Sequence, residues 1–289
     1  MSNHIKPDLP IAVVCNPSSG KGKALTVCKQ LEHYLSSQHI SYTTFQQQLP
    51  QHINNFSRVI ILGGDGTINF TINHFKQISI PIALIPCGTG NDIATFLLGK
   101  QTMEQYMYTA VFGEAQPIDA GMCNNTLFLN GAGIGFDGWV VKKLLAKKLF
   151  SGKAAYYSTV ISLLLFYKEQ RCKITVDHQN YELPLFMLCA ANGKTYGGGF
   201  NVAPYAAFND GLLESVCISR INLWKRLTYL PVIEKGNHLK EALPFVHYQT
   251  AKQITIQFKK NVPAHLDGEY MEASTFNIQI LPHYFRICL

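Results

Sequence analysis

Val59-Ile-Ile-Leu-Gly-Gly-Asp-Gly-Thr67 is the stretch on which the fold turns. Four aliphatic residues run without alternation into a glycine turn, the pattern of a parallel strand buried on both faces. A helical stretch follows near Ile68 to Phe75. The unit recurs on both sides. Upstream, Ile11-Ala-Val-Val-Cys15 enters the polar turn Asn16-Pro-Ser-Ser-Gly-Lys-Gly-Lys23, then a helix over Lys23 to Ser37 with Leu25, Cys28, Leu31 and Leu35 on one face. Ile40 to Phe45 reads as a further strand. Downstream, Ile82-Ala-Leu-Ile85 enters Pro86-Cys-Gly-Thr-Gly90, with a helix starting at Asn91. Strand and helix in alternation predict an α/β domain with an open, mostly parallel sheet.

Past about residue 117 the texture changes. Thr126 to Leu129, Lys173 to Val176, Leu185 to Ala190, Leu213 to Ile218, Gln253 to Phe258 and Phe276 to Leu281 read as strands. Only Trp139 to Lys168 and about Leu223 to Leu239 read as helical. The expectation is an α/β domain over 1–120 and a β-rich domain over 121–280, with about 280–289 free to return to the first.

The 289 residues are 47% hydrophobic and 15% charged, which excludes a largely disordered chain. Eight cysteines show no C-x-x-C pair and the ten histidines no zinc-ligand spacing, so buried, reduced thiols are expected. The amino terminus lacks the apolar core of a signal peptide, and the apolar run Ala154 to Tyr167 is too short to span a bilayer. A cytoplasmic protein, soluble or peripheral to a membrane, is the expectation.

The formal charge of +7 has one source. Eight basic residues between Gly138 and Lys173 face a single acid, Glu169. Val140, Val141, Leu144, Leu145 and Leu149 alternate there with Lys142, Lys143, Lys147 and Lys148 at roughly helical spacing. This reads either as a core helix with a solvated face or as a basic amphipathic helix on an anionic membrane. Aliphatic rather than stacking neighbours argue against nucleic acid.

Three glycine turns carry the chemistry. They sit at the carboxyl ends of successive predicted strands, where open α/β sheets bind ligands. Asn16 to Lys23 offers hydroxyls, amides and lysines; Gly63 to Thr67 offers three glycines, a carboxylate and a hydroxyl; Gly88-Thr-Gly-Asn-Asp92 repeats the theme at a helix start. Helix-terminal amides favour phosphate, and carboxylates beside phosphate call for a divalent cation. None of the turns is a P-loop, which would need Gly at Pro17 and Ser or Thr at Ala24. Gly131-Ala-Gly-Ile-Gly135 is poorly placed for a ligand and reads as structural.

Taken in order, Asn16-Pro-Ser-Ser-Gly20, Gly63-Gly-Asp-Gly-Thr67 and Pro86 to Asp92 resemble the catalytic domain of diacylglycerol kinases, relatives of sphingosine, ceramide and bacterial lipid kinases. The likeness continues through Asn130 to Asp137, Ala191-Asn-Gly to Gly199, Asn209-Asp-Gly-Leu-Leu213 and Leu266-Asp-Gly-Glu269. NAD kinases share the Gly-Gly-Asp-Gly turn, but the last two strings fit the lipid branch better. The resemblance implies ATP and Mg2+ in a cleft between an α/β domain and a β-sandwich domain. It implies nucleotide contacts from Asn16, Ser18, Gly63, Gly64, Asp65, Gly66, Thr67, Gly88, Thr89, Gly90 and Asn91. It gives Asp65, Asp92, Asp119 and Glu269 to the magnesium network, Asp267 to general-base duty, and Asp210 to a structural metal. Diacylglycerol is the implied acceptor, with sphingoid bases, ceramide, monoacylglycerol and phosphatidylglycerol as rivals; a homodimer stays open. One departure stands out: the pattern runs Gly-Asp-Gly-Thr-x-Asn-Glu, and here Phe70 replaces the Glu. A weakened catalyst, or a nucleotide- or lipid-binding regulator, is the alternative that Phe70 raises.

Overall fold

A computed structural model describes residues 9–46, 48–146, 153–196, 199–240 and 243–289. They form two compact units: the chain up to Ile118 with His283–Leu289, and Asp119–Pro282.

In the first unit, β1 (Ile11–Cys15) leads to α1 (Lys23–Ser37), β2 (Tyr42–Phe45), β3 (Arg58–Gly63), α2 (Asp65–His74), β4 (Ile82–Pro86), α3 (Asp92–Leu98) and α4 (Met103–Phe112). The strands pair in parallel in the order β2-β1-β3-β4, with Ile11 opposite Tyr42 and Arg58, and Val59 opposite Ile82. All five residues of β1 are buried, as an all-aliphatic strand requires when both its faces are covered. Ile11, Val13, Ile60 and Leu62 pack with Val27, Cys28, Leu31 and Leu35 of α1; Leu25, expected on this stripe, is only half-buried, and Val27 is buried instead. Ile287, from the carboxyl-terminal segment, adds a parallel pairing to Ile82. The sequence reading passed over α4, which a capping box starts: Thr102 Oγ1 accepts from the Gln105 amide while Gln105 Oε1 accepts from the Thr102 amide.

β5 (Ala115–Cys123) carries the chain into the second unit. There follow β6 (Thr126–Phe128), β7 (Gly131–Gly135), α5 (Phe136–Ala146), α6 (Lys153–Phe166), β8 (Gln170–Val176), β9 (Gln179–Ala191), β10 (Leu213–Ser219), α7 (Leu223–Glu234), β11 (Val246–Ala251), β12 (Gln253–Leu266) and β13 (Glu269–Cys288). Pairing among these strands is antiparallel, β11-β10-β9-β7-β12-β13 in order, with β8 joining β9 to β12. Phe128, Ile134, Leu188, Ile254, Ile256, Phe276 and Ile278 centre the core. The helical stretch expected over Trp139 to Lys168 is two helices, α5 and α6, with 147–152 outside the described residues. Among the described residues no helix is long and apolar enough to cross a membrane, and all eight cysteines are free and buried.

Gly131 to Gly135 is strand β7, and its glycines are there for packing. A Cβ at Gly131 would meet the Tyr196 hydroxyl at 1.7 Å, and one at Gly133 would meet Nε2 of His265 at 2.4 Å. Asp267 and Gly268 form the two-residue turn between β12 and β13, both with positive φ, +51° and +86°. Asp-Gly is the pair such a hairpin turn prefers.

Candidate functional site

In the first unit the three glycine turns meet at one end of the parallel sheet. The Cys87 amide donates to the Gly63 carbonyl at 2.8 Å, which ties the turn after β4 to the turn after β3. Their glycines touch: a Cβ on Gly88 would stand 2.5 Å from Cα of Gly64 and 2.9 Å from the Gly90 carbonyl oxygen. Gly63 faces Thr67, where a Cβ would fall 2.4 Å from the threonine's own. The turn after β1 closes on the same place, because a Cβ at Gly20, whose φ is +59°, would overlap the Cys87 carbonyl at 2.0 Å. At Gly20 and Gly88 the excluding atoms are backbone; at Gly63 they are those of the Thr67 side chain. What results is a surface of main-chain amides at helix starts.

Polar side chains fix this surface. Asn16 Nδ2 donates to Thr67 Oγ1 at 3.0 Å, and Asn16 Oδ1 accepts from the Ser18 amide and hydroxyl at 3.1 and 2.8 Å. Asn91 closes the third turn, taking the Gly88 amide at 3.0 Å and donating to the Gly88 carbonyl at 2.9 Å. Asp65 opens α2 and also caps α3: its two oxygens accept from the Asp92 and Ile93 amides at 3.0 and 3.2 Å. Gly66, Thr89 and Gly90 lie in the same turns, with Thr89 and Gly90 exposed. Phe70 is 61% exposed on α2, its ring tilted against His74.

The second unit holds the other predicted residues. Asp119 lies fully buried on β5, and its Oδ2 accepts from the Gly211 amide at 2.7 Å. Asp210 is exposed and takes the Leu212 amide at 3.0 Å, so the two aspartates clasp one turn. Glu269 is exposed at the start of β13. Asp267 is buried, and its carboxylate accepts from three successive amides: Leu129 at 2.8 Å, Asn130 at 2.9 Å and Gly131 at 2.8 Å. Such charge-assisted bonds both hold the anion and fix its direction.

Two residues without a role in the sequence reading, Asn192 and His265, support Asp267. Asn192, 1% exposed, donates through Nδ2 to the carbonyls of Asp119 and Leu129 at 3.1 and 2.8 Å. Its own amide and that of Gly193 donate to the Asn130 carbonyl, each at 2.8 Å. Asn192 thereby joins the strand of Asp119 to the segment that grips Asp267. His265 accepts the Gly268 amide at Nδ1, 3.2 Å, bracing the hairpin turn. Burial pushes its imidazole down to about 4 and pushes the carboxyl of Asp137, which flanks Gly133 beside it, up to about 7. Buried amides and imidazoles carry no sequence period, so only their short motifs could have flagged them.

Oxygen donors alone suit a hard cation such as magnesium. Among the described residues no three His, Cys, Asp or Glu side chains gather as a ready-made metal cluster. Asp65 and Asp92, which open α2 and α3, are the carboxylates of the first unit that would hold such a cation.

Residues 10–123 match the diacylglycerol kinase catalytic domain, and residues 131–289 match the YegS C-terminal NAD kinase beta sandwich-like domain. A protein of Shewanella frigidimarina named "Probable lipid kinase YegS-like" is 30% identical over 242 residues, 82% of this chain and 77% of the relative. The diacylglycerol kinase of Bacillus subtilis is 28% identical over 224 residues, 75% and 73% of the two chains. A crystal structure of a diacylglycerol kinase from Bacillus anthracis superposes with a TM-score of 0.72 over 96% of each chain at 21% identity, a likeness of fold.

Proposed function

The chain belongs to the family of lipid kinases built from a diacylglycerol kinase catalytic domain and a YegS carboxyl-terminal domain, and on that premise we propose that it transfers the γ-phosphoryl group of ATP to a membrane-lipid hydroxyl, with diacylglycerol the favoured acceptor. The observation that carries the reading is the glycine cradle of the first unit, where the Thr67 side chain leaves no room for a Cβ at Gly63, backbone leaves none at Gly88, and Asp65 caps the next helix.

The γ-phosphoryl step needs an aligned hydroxyl and neutralised charge. The amides after β3 and β4 bind phosphate, and Asn16 and Asn91 keep those turns in shape. Magnesium, when bound by Asp65 or Asp92, supplies that neutralisation at the phosphate oxygens. Asp267 accepts the proton that leaves the acceptor hydroxyl as its oxygen bonds to phosphorus and the bond to the ADP oxygen breaks. Three amides hold its carboxylate in place, so it acts by position. Asp119 and Asp210 act through the turn at 209–212, and the structural cation assigned to Asp210 belongs to this proposal. Glu269, exposed one residue past the turn, is the second carboxylate of the Asp-Gly-Glu motif and would supply negative charge for the cation.

Phe70 favours a second reading, a regulator that binds ATP without turnover. The test is an acceptor panel in mixed micelles: diacylglycerol, monoacylglycerol, sphingosine, ceramide and phosphatidylglycerol, each with ATP and magnesium. Highest kcat/KM on diacylglycerol supports the proposal. Preference for another lipid keeps the chemistry and changes the acceptor; ATP binding with no product on any lipid supports the regulator.

A further inference from the structure

The lysines that the sequence offered as a membrane helix are partly engaged within the protein. Lys142 pairs with Glu272 at 3.3 Å and lies 5.0 Å over the Trp139 ring, and Lys143 donates to Ser162 at 2.9 Å. Lys147 and Lys148 lie outside the described residues. An exposed apolar surface of the second unit lies instead where α6 meets α7. Arg226, buried in the first turn of α7, donates to the carbonyls of Leu164 and Tyr167 at 2.8 and 2.9 Å and pairs with Glu169 at 2.6 Å. The carbonyl end of α6 is thereby fastened to the start of α7. Around this junction six large apolar side chains stay exposed: Ile161, Leu165, Phe166, Leu223, Trp224 and Leu227, with Phe166 and Trp224 at 77% each. Single exposed apolar residues are ordinary, but six at one joint mark an interaction surface.

Charge identifies the partner. Lys168, Arg171, Arg220 and Lys225 beside the joint are all exposed. The one acid in 157–173 and 220–230, Glu169, is consumed by Arg226. An apolar patch with an indole, flanked by four exposed cations and with no exposed acid in these two segments, has the composition that partitions into the interface of an anionic bilayer. We propose that the α6–α7 joint is a membrane-docking surface, with Phe166 and Trp224 seated among lipid headgroups and the flanking cations on anionic phosphate. The inference deepens the lipid-kinase reading by naming where the protein meets its substrate's membrane. Its test uses binding alone, so failure of the kinase chemistry leaves the outcome readable.

Trp139 and Trp224 are the only tryptophans. In the full chain carrying Trp139→Phe, emission therefore reports Trp224. Vesicles of phosphatidylglycerol and phosphatidylcholine should shift that emission to the blue, brominated acyl chains should quench it, and vesicles of phosphatidylcholine alone should do neither. Phe166→Ser with Trp224→Ser should weaken sedimentation with anionic vesicles by at least about tenfold. Lys168→Glu with Lys225→Glu should do the same while leaving the circular dichroism unchanged. The proposal fails if Trp224 emission is unmoved while the protein sediments with vesicles, because another surface then binds. It fails equally if nothing sediments, or if the shift follows protein rather than lipid concentration, which marks a second copy of the chain as the occupant.

Discussion

Replacing Asp267 separates its two duties, as clasp and as base. Its carboxylate takes the amides of Leu129, Asn130 and Gly131, all in buried backbone. Asp267→Ala leaves these three donors without that acceptor. At about 1–3 kcal/mol for each buried unsatisfied amide, the loss is about 3–9 kcal/mol. That rivals the roughly 5–15 kcal/mol that holds a whole domain folded. Asp267→Asn is gentler. Its one amide oxygen can keep the Asn130 and Gly131 donors, while its NH2 group faces the Leu129 amide, so the loss is about 1–3 kcal/mol. Thermal unfolding of both variants, read beside single-turnover transfer from ATP to diacylglycerol, tests this. Asp267→Asn should stay folded with a midpoint lowered by about 2–4 °C per kcal/mol, bind nucleotide normally, and transfer roughly 10²–10⁴-fold more slowly. Asp267→Ala should be much less stable than Asp267→Asn. Equal stability of Asp267→Ala and wild type would refute the clasp, and undiminished transfer by Asp267→Asn would remove Asp267 as base.

Gly88→Ala puts a methyl 2.5 Å from Cα of Gly64, in backbone that cannot yield, so nucleotide affinity by calorimetry should fall by at least about tenfold. Asp65→Ala strips the cap from α3, costing about 0.5–2 kcal/mol in thermal unfolding, and should abolish transfer in a protein that is still folded. The pH dependence of stability should expose two opposed groups, buried His265 and half-buried Asp137. His265, held neutral with its pKa near 4 against 6.5 unfolded, loses stability as pH falls from 6.5 to 4. Asp137, held protonated with its pKa near 7 against 3.8 unfolded, gains stability over nearly the same descent. Asp137→Asn removes the gain, so denaturant titrations of that variant should lose roughly 3 kcal/mol more than wild type between pH 6.5 and 4; parallel profiles would show that the two groups do not oppose.

The parallel sheet was legible because its strands are unbroken aliphatic runs, each ending in a glycine turn, as in Ile11–Cys15, Arg58–Gly63 and Ile82–Pro86. The glycine turns were legible for the same reason: no side chain fits at Gly63 or Gly88, so the sequence must write glycine there. The β-rich unit was harder to read. β7 is a strand of three glycines in five residues, admitted only because Tyr196 and His265 fill the space above it, a tertiary fact without local signature. The Asp267-Gly268 hairpin did have one, the Asp-Gly pair between two strands, but the family likeness drew attention to its chemistry before its geometry. Asn192 was hidden because its partners, Asp119 and Leu129, stand 73 and 63 residues away. Trp224 and Phe166 gave no warning either, since an exposed aromatic and a core aromatic look alike in a sequence.

The central claim is phosphoryl transfer to a lipid hydroxyl, and label on the γ-phosphate of ATP tests it most directly. With magnesium and diacylglycerol micelles, wild type should move label into the organic phase as phosphatidic acid, and Asp65→Ala should move none. Label that stays in water with the wild type, while ATP still binds, would contradict the account.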